Sequence, residues 1–327
     1  MLLDVQNLTK VYRKGVRAND DISLTLDGGE VFGLFGHNGA GKTTLLNQIA
    51  GLARPTSGSI RIDGHDPVSD PATARRLCSL QPQAQVPLEG ITPRQAIEIM
   101  ARIRGARQRR ARERAAELIA ALELEQWADT AGDKLSGGVR RLTAFCMAAA
   151  EPGRLVMFDE PTNDVDPVRR RLLWGQIRTL AESGCGVVLV THNVVEAERS
   201  VDRLVVLDRG RVLARGTPAQ LRGLHGDRLR LELLTPDSTD AERLADDLSP
   251  TGWRAGEAVV NGRRVVVPIE ADAAADALTW AQGQRDAARV DEFSVTPTSL
   301  EDVYLTLVGA NGTDPTPEED RHASLAA

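Results

Sequence analysis

Short apolar runs and helical patterns alternate along the first two thirds of the chain. Runs of four or five mostly apolar residues, without polar alternation, are typical of strands that are buried on both faces of a sheet. The clearest of these runs are residues 31–35, 155–158, 186–190 and 203–207. Apolar residues at helical spacing follow some of them, as in residues 168–183 and 194–200. The alternation predicts an α/β fold with a largely parallel core sheet that helices cover on both sides.

Two other patterns flank this core. Alternating apolar and polar positions predict a small antiparallel sheet from three stretches, residues 2–12, 22–26 and 59–64. From residue 92 to about residue 131 the apolar spacing is helical, with Thr92 as the expected N-cap and Pro93 as the first helical residue. The Arg-rich stretch 102–114 predicts either a solvated helical face or a contact with acidic lipid headgroups or a partner.

The pattern changes again near residue 223. Strands and helices are predicted in the order β-α-β-β-α-β, which is the order of a small ferredoxin-like unit. The corresponding stretches are 229–233, 239–248, a hairpin with an Asn-Gly turn at 258–267, 271–283 and 288–296. A capped amphipathic helix is predicted at 299–308, and the polar residues 309–327 predict a disordered tail. We therefore expect two domains, at 1–222 and 223–308.

Composition and charge argue against several classes of function. A chain of 327 residues has room for about two domains, and a net charge of −6 argues against nucleic acid as the main partner. Cys78, Cys146 and Cys185 are far apart in the chain, so a zinc site is not expected and the thiols indicate a reducing compartment. No apolar run approaches the ~20 residues of a membrane span, and the first residues do not form a signal peptide. If the protein works at a membrane, we expect another protein to span it.

The apolar run at 31–35 leads into the phosphate-binding pattern G-x-x-x-x-G-K-[ST], from Gly36 to Thr43. Strand, glycine loop and helix follow in the order that such a loop requires. Glycines let the backbone approach a polyphosphate, while the loop amides and the helix N-terminus direct hydrogen-bond donors at it. Lys42 would reach the β and γ phosphates, and the Thr43 hydroxyl would bind Mg²⁺. The motif predicts a nucleotide site but does not indicate which reaction follows.

Two further stretches carry chemistry that fits a nucleotide. The run at 155–158 ends in Asp159, which would hold Mg²⁺, and in Glu160, which could position and deprotonate an attacking water. Residues 135–138, Leu-Ser-Gly-Gly, begin a predicted helix and form a second anion-binding N-terminus. Two anion sites in one chain suggest a nucleotide that is bound between two subunits, head to tail.

Together with Pro82-Gln83, Asp166 and His192, these motifs resemble the ATP-binding subunit of ABC transporters over residues 2 to about 220. The resemblance implies a P-loop NTPase of ABC type with a mostly parallel core sheet and an antiparallel β-subdomain. It also implies a helical subdomain at about 84–150, beside the small C-terminal α+β domain. Residues 298–304, Thr-Ser-Leu-Glu-Asp-Val-Tyr, are similar to the ending of the multidrug and antibiotic-export branch, which pairs with ABC-2-type permeases.

The resemblance implies roles for single residues. The implied catalytic residues are Gln83, Glu160 and His192. The implied Mg²⁺ ligands are Thr43, Gln83 and Asp159. The implied ATP-binding residues are Tyr12, Gly36, His37, Asn38, Gly39, Ala40, Gly41, Lys42, Thr43, Thr44, Ser136, Gly137, Gly138, Asp159 and Asp166. Within this set, Tyr12 would stack on adenine and His192 would contact the γ-phosphate. Ser136 and Gly138 would contact the nucleotide of the opposite subunit.

Some of these assignments have a purely structural alternative. Tyr12 would otherwise be an edge-strand tyrosine, and His192 the cap of a helix. Gln81 and Gln85 lie so close in sequence that the choice of Gln83 rests on the proline before it.

Two stretches depart from the family pattern. Val139 stands where relatives usually carry Gln, and residues 163–166 read Asn-Asp-Val-Asp where relatives usually read Ser-x-Leu-Asp. Val139 is expected to remove a polar contact near the opposite nucleotide and so to weaken ATP-driven closure. Because Glu160 and His192 are intact, hydrolysis is still predicted.

The sequence thus predicts an ATP-binding and hydrolysing subunit that powers export of a small hydrophobic compound, a drug or antibiotic, through a separate permease. The expected partners are a second copy, or a paired ATP-binding subunit, and an ABC-2-type membrane permease, with no nucleic acid. The expected location is cytoplasmic, peripheral on the inner face of the cell membrane. Residues 224–308 are expected to stabilise or regulate the dimer. Three alternatives stay open: an importer subunit, a non-transport ABC ATPase, and an ATP-binding regulatory protein without turnover.

Overall fold

The computed structural model describes residues 1–13, 15–191, 198–223, 228–248 and 252–298. The described strands are β1 (Leu3–Val11), β2 (Arg17–Leu26), β3 (Val31–Phe35), β4 (Ser57–Ile62), β5 (Cys78–Gln81), β6 (Leu155–Asp159), β7 (Gly186–Val190), β8 (Arg203–Asp208), β9 (Arg211–Gly216), β10 (Arg228–Leu234), β11 (Val259–Asn261), β12 (Arg264–Glu270) and β13 (Glu292–Pro297). The described α-helices are α1 (Lys42–Ile49), α2 (Pro71–Leu77), α3 (Pro93–Ile103), α4 (Gln108–Ala121), α5 (Gly137–Ala149), α6 (Pro167–Glu182), α7 (Pro218–Gly223), α8 (Ser238–Asp247) and α9 (Ala274–Asp286).

The core is a six-stranded sheet in the order β5-β6-β7-β3-β8-β9. Its first five strands are parallel, and β9 returns antiparallel to β8. Every residue of β3, β6 and β7 is buried. The prediction of a mostly parallel sheet that is covered on both faces is therefore confirmed.

Strand β3 shows how the two faces are covered. Phe32 and Leu34 pack in the apolar cluster that includes α1 and the strands β1, β2 and β4. Val31 and Phe35 point to the opposite side and pack in the cluster that includes residues of α3, α4, α5 and α6. Because side chains alternate along a strand, β3 packs against the antiparallel layer on one face and against the helical layer on the other. The antiparallel layer is the three-stranded sheet β2-β1-β4, as predicted.

The helical layer begins where the sequence predicts it. The Thr92 side chain accepts a hydrogen bond from the Gln95 backbone amide, and the Gln95 side-chain oxygen accepts one from the Thr92 backbone amide, which forms a capping box ahead of Pro93. The single helical pattern at 92–131 proves to be two helices, because the chain turns at Gly105 with φ +108° between α3 and α4. Helix α4 then ends at Ala121, and the chain leaves it through Glu123 with φ +52°. The structure also adds α2 and β5, for which the pattern gives no prediction.

The Arg-rich stretch is largely ion-paired to glutamates of the same two helices, and most of these groups are exposed. This favours the interpretation as a solvated helical face. The pairs are Arg109–Glu113 at 3.1 Å, Arg110–Glu117 at 3.2 Å, Arg112–Glu98 at 3.9 Å and Arg114–Glu117 at 3.0 Å.

The C-terminal strands form a separate four-stranded antiparallel sheet in the order β11-β12-β10-β13, with its own apolar core beneath α8 and α9. The predicted β-α-β-β-α-β order is confirmed. The predicted Asn-Gly turn is wrong in one respect: Asn261 pairs with Arg264, so the two turn residues are Gly262 and Arg263. Gly262 has φ +58°, a conformation that glycine adopts at little cost. The predicted helix at 299–308 and the tail at 309–327 lie outside the described residues.

Within the ranges given above, none of the helices combines the length and the apolar character needed to cross a bilayer.

Candidate active site

The loop between β3 and α1 has a backbone that only glycine can supply at two positions. Gly41 has φ +101°, and a Cβ there would lie 2.2 Å from the Ala18 carbonyl oxygen. Gly36 has φ +154°, and a Cβ there would lie 2.4 Å from the Leu207 carbonyl oxygen. The loop is therefore held tightly against the ends of its neighbours, with its amides and the α1 N-terminus at one edge of the core sheet.

Lys42, the first residue of α1, lies inside this loop. Its Nζ donates to the carbonyl oxygens of Gly36 at 2.5 Å and His37 at 3.0 Å, and the residue is 7% exposed. Burial lowers the pKa of Lys42, whereas the nearby carboxylates of Glu160 and Asp159 oppose that change. A buried cation surrounded by loop carbonyls and amides is suited to hold a polyphosphate.

Two carboxyl groups lie next to this lysine, at the end of β6. The Thr43 hydroxyl donates to Asp159 Oδ2 at 2.8 Å. Burial raises the pKa of Asp159, and the hydrogen bond from Thr43 acts in the opposite direction. Glu160 is 2% exposed and has φ +53°, while its amide donates to the Val190 carbonyl oxygen at 2.9 Å. A left-handed conformation at a buried glutamate is a strained feature of the kind that collects at functional sites.

A cavity of about 290 Å³ brings these groups together. Of the three neighbouring glutamines, only Gln83 lines it, whereas Gln81 is buried and its Nε2 donates to the Arg141 carbonyl oxygen at 3.3 Å. Gly36, His37 and Ala40 belong to the loop without lining the cavity. The cavity walls are Val16, Arg17, Ala18, Asn38, Gly39, Gly41, Lys42, Thr43, Thr44, Gln83, Asp159, Glu160 and Arg209.

The residues at the Thr43 end of this cavity fit a magnesium ion that is shared with a substrate. Hydroxyl, carboxylate and amide oxygens are the hard ligands that Mg²⁺ takes. The described residues contain no group of three or more His, Cys, Asp or Glu side chains placed to hold a metal by themselves. Mg²⁺ is usually held by one or two protein groups together with substrate phosphates, so the sparse donor set of Thr43, Asp159 and Gln83 suits it.

The second predicted anion site starts helix α5. Ser136 is the N-cap residue, and its Oγ accepts from the Val139 amide at 3.4 Å. A Cβ at Gly138 would lie 2.3 Å from the Asp164 carbonyl oxygen, so this loop packs directly on residues 163–166. Ser136, Gly137 and Gly138 are not among the described residues that line the cavity around Lys42. The structure thus separates the two anion loops within one chain.

Val139, the residue that departs from the family pattern, is buried in its own chain. The residue is 6% exposed and belongs to the apolar core under the helical layer. An apolar side chain satisfies this environment, whereas a glutamine would bring an amide into it. The expected loss of a polar contact near the opposite nucleotide stays a prediction, because it concerns a second chain.

Asp166 caps the next helix of its own chain. Its Oδ1 accepts from the amides of Val168 and Arg169, both at 3.1 Å, and the Arg169 guanidinium donates to Oδ2 at 3.1 Å. The hydrogen bond from the Arg169 backbone is the largest cause that lowers the pKa of Asp166. Whatever Asp166 does at an interface, it also fixes the start of α6.

Two residues with predicted roles stay untested by this geometry. Tyr12 follows β1, is 44% exposed and has the Lys10 ammonium 5.1 Å from its ring centroid, but it does not line the cavity. Val16, a few residues on, does line it. His192 lies outside the described residues, as does most of the helix predicted at 194–200.

Sequence reasoning missed part of the cavity wall. Arg17 and Arg209 add two cations to it, from the start of β2 and from the turn between β8 and β9. These segments meet because the Asp20 amide donates to the Gly210 carbonyl oxygen at 2.8 Å. A second link joins the turn to the loop, since His37 Nε2 and Asp208 Oδ1 are 2.8 Å apart. No local pattern marks these residues, because the contacts span well over a hundred positions in sequence.

Comparison with known proteins agrees with this site. The ABC transporter family model matches residues 19–163. The daunorubicin/doxorubicin resistance ATP-binding protein DrrA of Streptomyces peucetius is 36% identical over 320 residues, covering 97% of this chain and 95% of that protein. The Nod factor export ATP-binding protein I of Burkholderia thailandensis is 32% identical over 308 residues, covering 94% and 97%.

A solved structure extends the comparison to three dimensions. It is the dimeric, post-hydrolysis state of an ATP-binding cassette with ADP and phosphate bound. That chain is 27% identical and matches with a TM-score of 0.60 over 66% of this chain and 98% of its own. The chain described here therefore belongs to the ABC transporter family, as an ATP-binding and ATP-hydrolysing protein.

Proposed function

We propose that this protein drives export of a small hydrophobic compound, a drug or antibiotic, through a separate integral membrane permease. The observation that carries the proposal is the cavity in which Lys42, Thr43, Asp159 and Glu160 meet Gln83. The likeness to DrrA and to the Nod factor export protein, over nearly the whole length of each, supports export as the direction.

The residues around the cavity would have different roles in binding and hydrolysing ATP. The loop amides and Lys42 would hold the β and γ phosphates, and Thr43, Asp159 and Gln83 would hold Mg²⁺. When bound, that ion supplies charge neutralisation at the phosphate oxygens. Glu160 would orient the attacking water and accept its proton. His192 is proposed to contact the γ-phosphate, and Tyr12 to stack on adenine.

The loop of Ser136, Gly137 and Gly138 would contact the γ-phosphate that the opposite subunit holds, with Asp166 at the same interface. The functional unit is thus a homodimer, or a pair with another ATP-binding subunit. The separation of the two anion loops within one chain supports this arrangement, since Ser136, Gly137 and Gly138 do not line the cavity around Lys42.

The proposed partner in the membrane is an ABC-2-type permease, and the protein would lie on the cytoplasmic face of the cell membrane. Residues 84–130 would transmit closure to that permease. The domain division at 1–222 and 223–308 is part of the same proposal, in which the C-terminal unit stabilises or regulates the dimer.

The test reconstitutes the purified chain with its candidate permease in inside-out membrane vesicles, using doxorubicin as the fluorescent probe. We expect ATP-dependent accumulation of the probe inside the vesicles and a faster ATPase rate than with vesicles that lack the permease. ATP hydrolysis that ignores the permease, with no accumulation, would contradict the proposal. ATP-dependent loss of preloaded probe from the vesicles would indicate import instead.

A further inference from the structure

Arg141 is a buried arginine whose guanidinium holds the segment that carries Gln83. The residue lies in α5 and is 7% exposed. Its Nη1 donates to the Gln83 carbonyl oxygen at 2.6 Å and to the Pro82 carbonyl oxygen at 3.3 Å. One donor group therefore fixes two consecutive carbonyls, at the point where the chain leaves β5 for the cavity.

The contact is reciprocal. Gln81, the last residue of β5, is 1% exposed, and its Nε2 donates back to the Arg141 carbonyl oxygen at 3.3 Å. A side chain from the strand thus binds the helix backbone, and a side chain from the helix binds the backbone that directly follows the strand. We call this pair of contacts the Arg141–Gln81 clamp.

The clamp matters because the segment it holds has no regular structure. Residues 82–91 form neither helix nor strand, and Pro82 and Gln83 are exposed. The position of such a segment depends on tertiary contacts, and partly buried carbonyls that lose their donor carry a share of the desolvation penalty. A guanidinium offers several donors in a rigid fork and stays charged, which suits it to bind backbone carbonyls inside a protein.

The clamp also joins two parts of the site that are far apart in sequence. Helix α5 begins with the anion loop of Ser136, Gly137 and Gly138, and Arg141 lies one turn into the same helix. The positive charge of Arg141 also contributes, as the smallest of several causes, to lowering the pKa of Asp159. Arg141 therefore links the helix that begins with the α5 loop to the segment that carries Gln83.

We propose that Arg141 is a positioning residue, which holds Gln83 at the nucleotide cavity and makes the Gln83 segment move together with α5. This inference rests on the proposed role of Gln83 as a Mg²⁺ ligand at the nucleotide. When the α5 loop engages a nucleotide on the opposite subunit, a displacement of α5 would reach Gln83 directly through the clamp.

The test is a double-mutant cycle on the full-length chain, measured by steady-state ATPase kinetics. The variants are Arg141→Gln, Gln83→Ala and the double variant, because Gln83→Ala removes the positioned side chain and keeps the clamped carbonyl. We expect Arg141→Gln to lower kcat about tenfold and to leave KM for ATP within about twofold, since Lys42 and its loop are untouched. In the Gln83→Ala background the same change should lower kcat by less than about twofold.

Two further variants separate positioning from a general structural role. Arg140→Gln is the matched control, because Arg140 is in the same helix and its guanidinium donates to the Asp133 carbonyl oxygen at 3.0 Å instead. It should keep kcat within about twofold of the parent. Arg141→Lys keeps a buried cation that can reach the same carbonyls, so it should recover part of kcat and tests the clamp if Arg141→Gln fails to fold. Gln81→Leu should lower kcat from the strand side and lose that effect in the Gln83→Ala background.

Additive losses would overturn the inference, because Arg141 would then act without Gln83. An unchanged kcat in Gln83→Ala would also overturn it, while leaving the ATPase activity of the chain in place. Failure of the proposed export function is a distinct result, since it would show as ATP hydrolysis that no permease alters.

Discussion

The two anion loops of this chain both place glycines ahead of a helix, and they differ in how much of a site each one forms. The loop ahead of α1 surrounds a buried lysine and opens on a cavity with two buried carboxyl groups. The loop ahead of α5 is exposed at Ser136, whose oxygen already caps its own helix, and it packs on the backbone of Asp164. The difference supports the proposal that the first loop is a site within one chain, whereas the second loop needs another chain to complete a site.

The two regions also differ in what changes the pKa values of their ionisable groups. Around the first loop, burial lowers the pKa of Lys42 and raises that of Asp159, because both groups are largely shielded from water. Near the second loop, Asp166 is partly exposed and its pKa is lowered by hydrogen bonds within α6. The first region therefore has buried ionisable groups beside the cavity, whereas the second uses the Asp166 carboxylate to cap helix α6.

The largest expected effect is a loss of ATP turnover, from a substitution beside the first loop. Glu160→Gln keeps the shape of the side chain and removes the proposed base, so ATP turnover should fall by at least about 100-fold. ATP binding should persist, and size-exclusion chromatography with ATP should show a trapped dimer. Glu182→Gln at the end of α6 is the matched control and should leave turnover unchanged. Full turnover in the Glu160 variant would remove this residue from the mechanism.

The next effect is expected at the second loop. Gly138→Ala places a Cβ 2.3 Å from the Asp164 carbonyl oxygen, which forces the α5 loop away from residues 163–166. We expect a loss of about 1–3 kcal/mol in the free energy of unfolding, with ATP-dependent dimerisation lost and ATP binding by the single chain retained. Gly175→Ala is the control, because nothing lies within 4 Å of a Cβ there. Equal losses of ATP binding and dimerisation would erase the distinction between the two loops.

Substitution of Val139 is expected to have a smaller effect, and it tests whether this position faces the core or the partner chain. Val139→Gln restores the residue that relatives usually carry, yet it puts an amide into an apolar core. We expect it to lower the free energy of unfolding by about 1–3 kcal/mol and to leave ATP-driven dimerisation no stronger. Val139→Ile should be much milder. Tighter dimerisation in the Gln variant, measured by sedimentation with ATP, would show that this position faces the partner after all.

The smallest effect concerns Asp166 and pH. Because its folded pKa is below the ordinary value of 3.8, it contributes stability above that value, and this contribution disappears as pH falls through the folded pKa. Asp166→Asn keeps an oxygen that can cap α6 and removes the charge. Urea midpoints should favour the parent slightly at pH 7 and converge as the pH falls through the folded pKa of Asp166, which lies below 3.8. A gap that is constant with pH would assign the effect to geometry instead of charge.

The sequence was sufficient wherever a residue and its neighbours along the chain carry the signal. The loop at Gly36, the N-cap at Ser136 and the buried strand that ends in Asp159 are local patterns, and each lies where it was predicted. Thr92 caps its helix for the same reason. These features depend on backbone preferences and on burial over a few residues, which a single sequence contains.

The missed features depend on distant contacts. Arg209 reaches the cavity because the turn beside it pairs with Asp20, almost two hundred residues away, and Arg141 reaches Gln83 across about sixty positions. The helical pattern at 92–131 hid the break at Gly105, because apolar spacing continues on both sides of it. Val139 could be interpreted from the sequence only by comparison with relatives, whereas its burial is a property of the fold.

The most direct test of the account mixes two inactive chains. One carries Lys42→Ala, which disables its own loop, and the other carries Ser136→Arg, which blocks the second loop. If the active site combines the Lys42 loop of one chain with the Ser136 loop of another, mixed dimers contain one intact site. Random pairing should then restore about a quarter of the parent ATPase rate, by the statistics of dimer assembly. Mixtures that stay as inactive as either variant alone would contradict the central claim that the two loops serve one nucleotide across two chains.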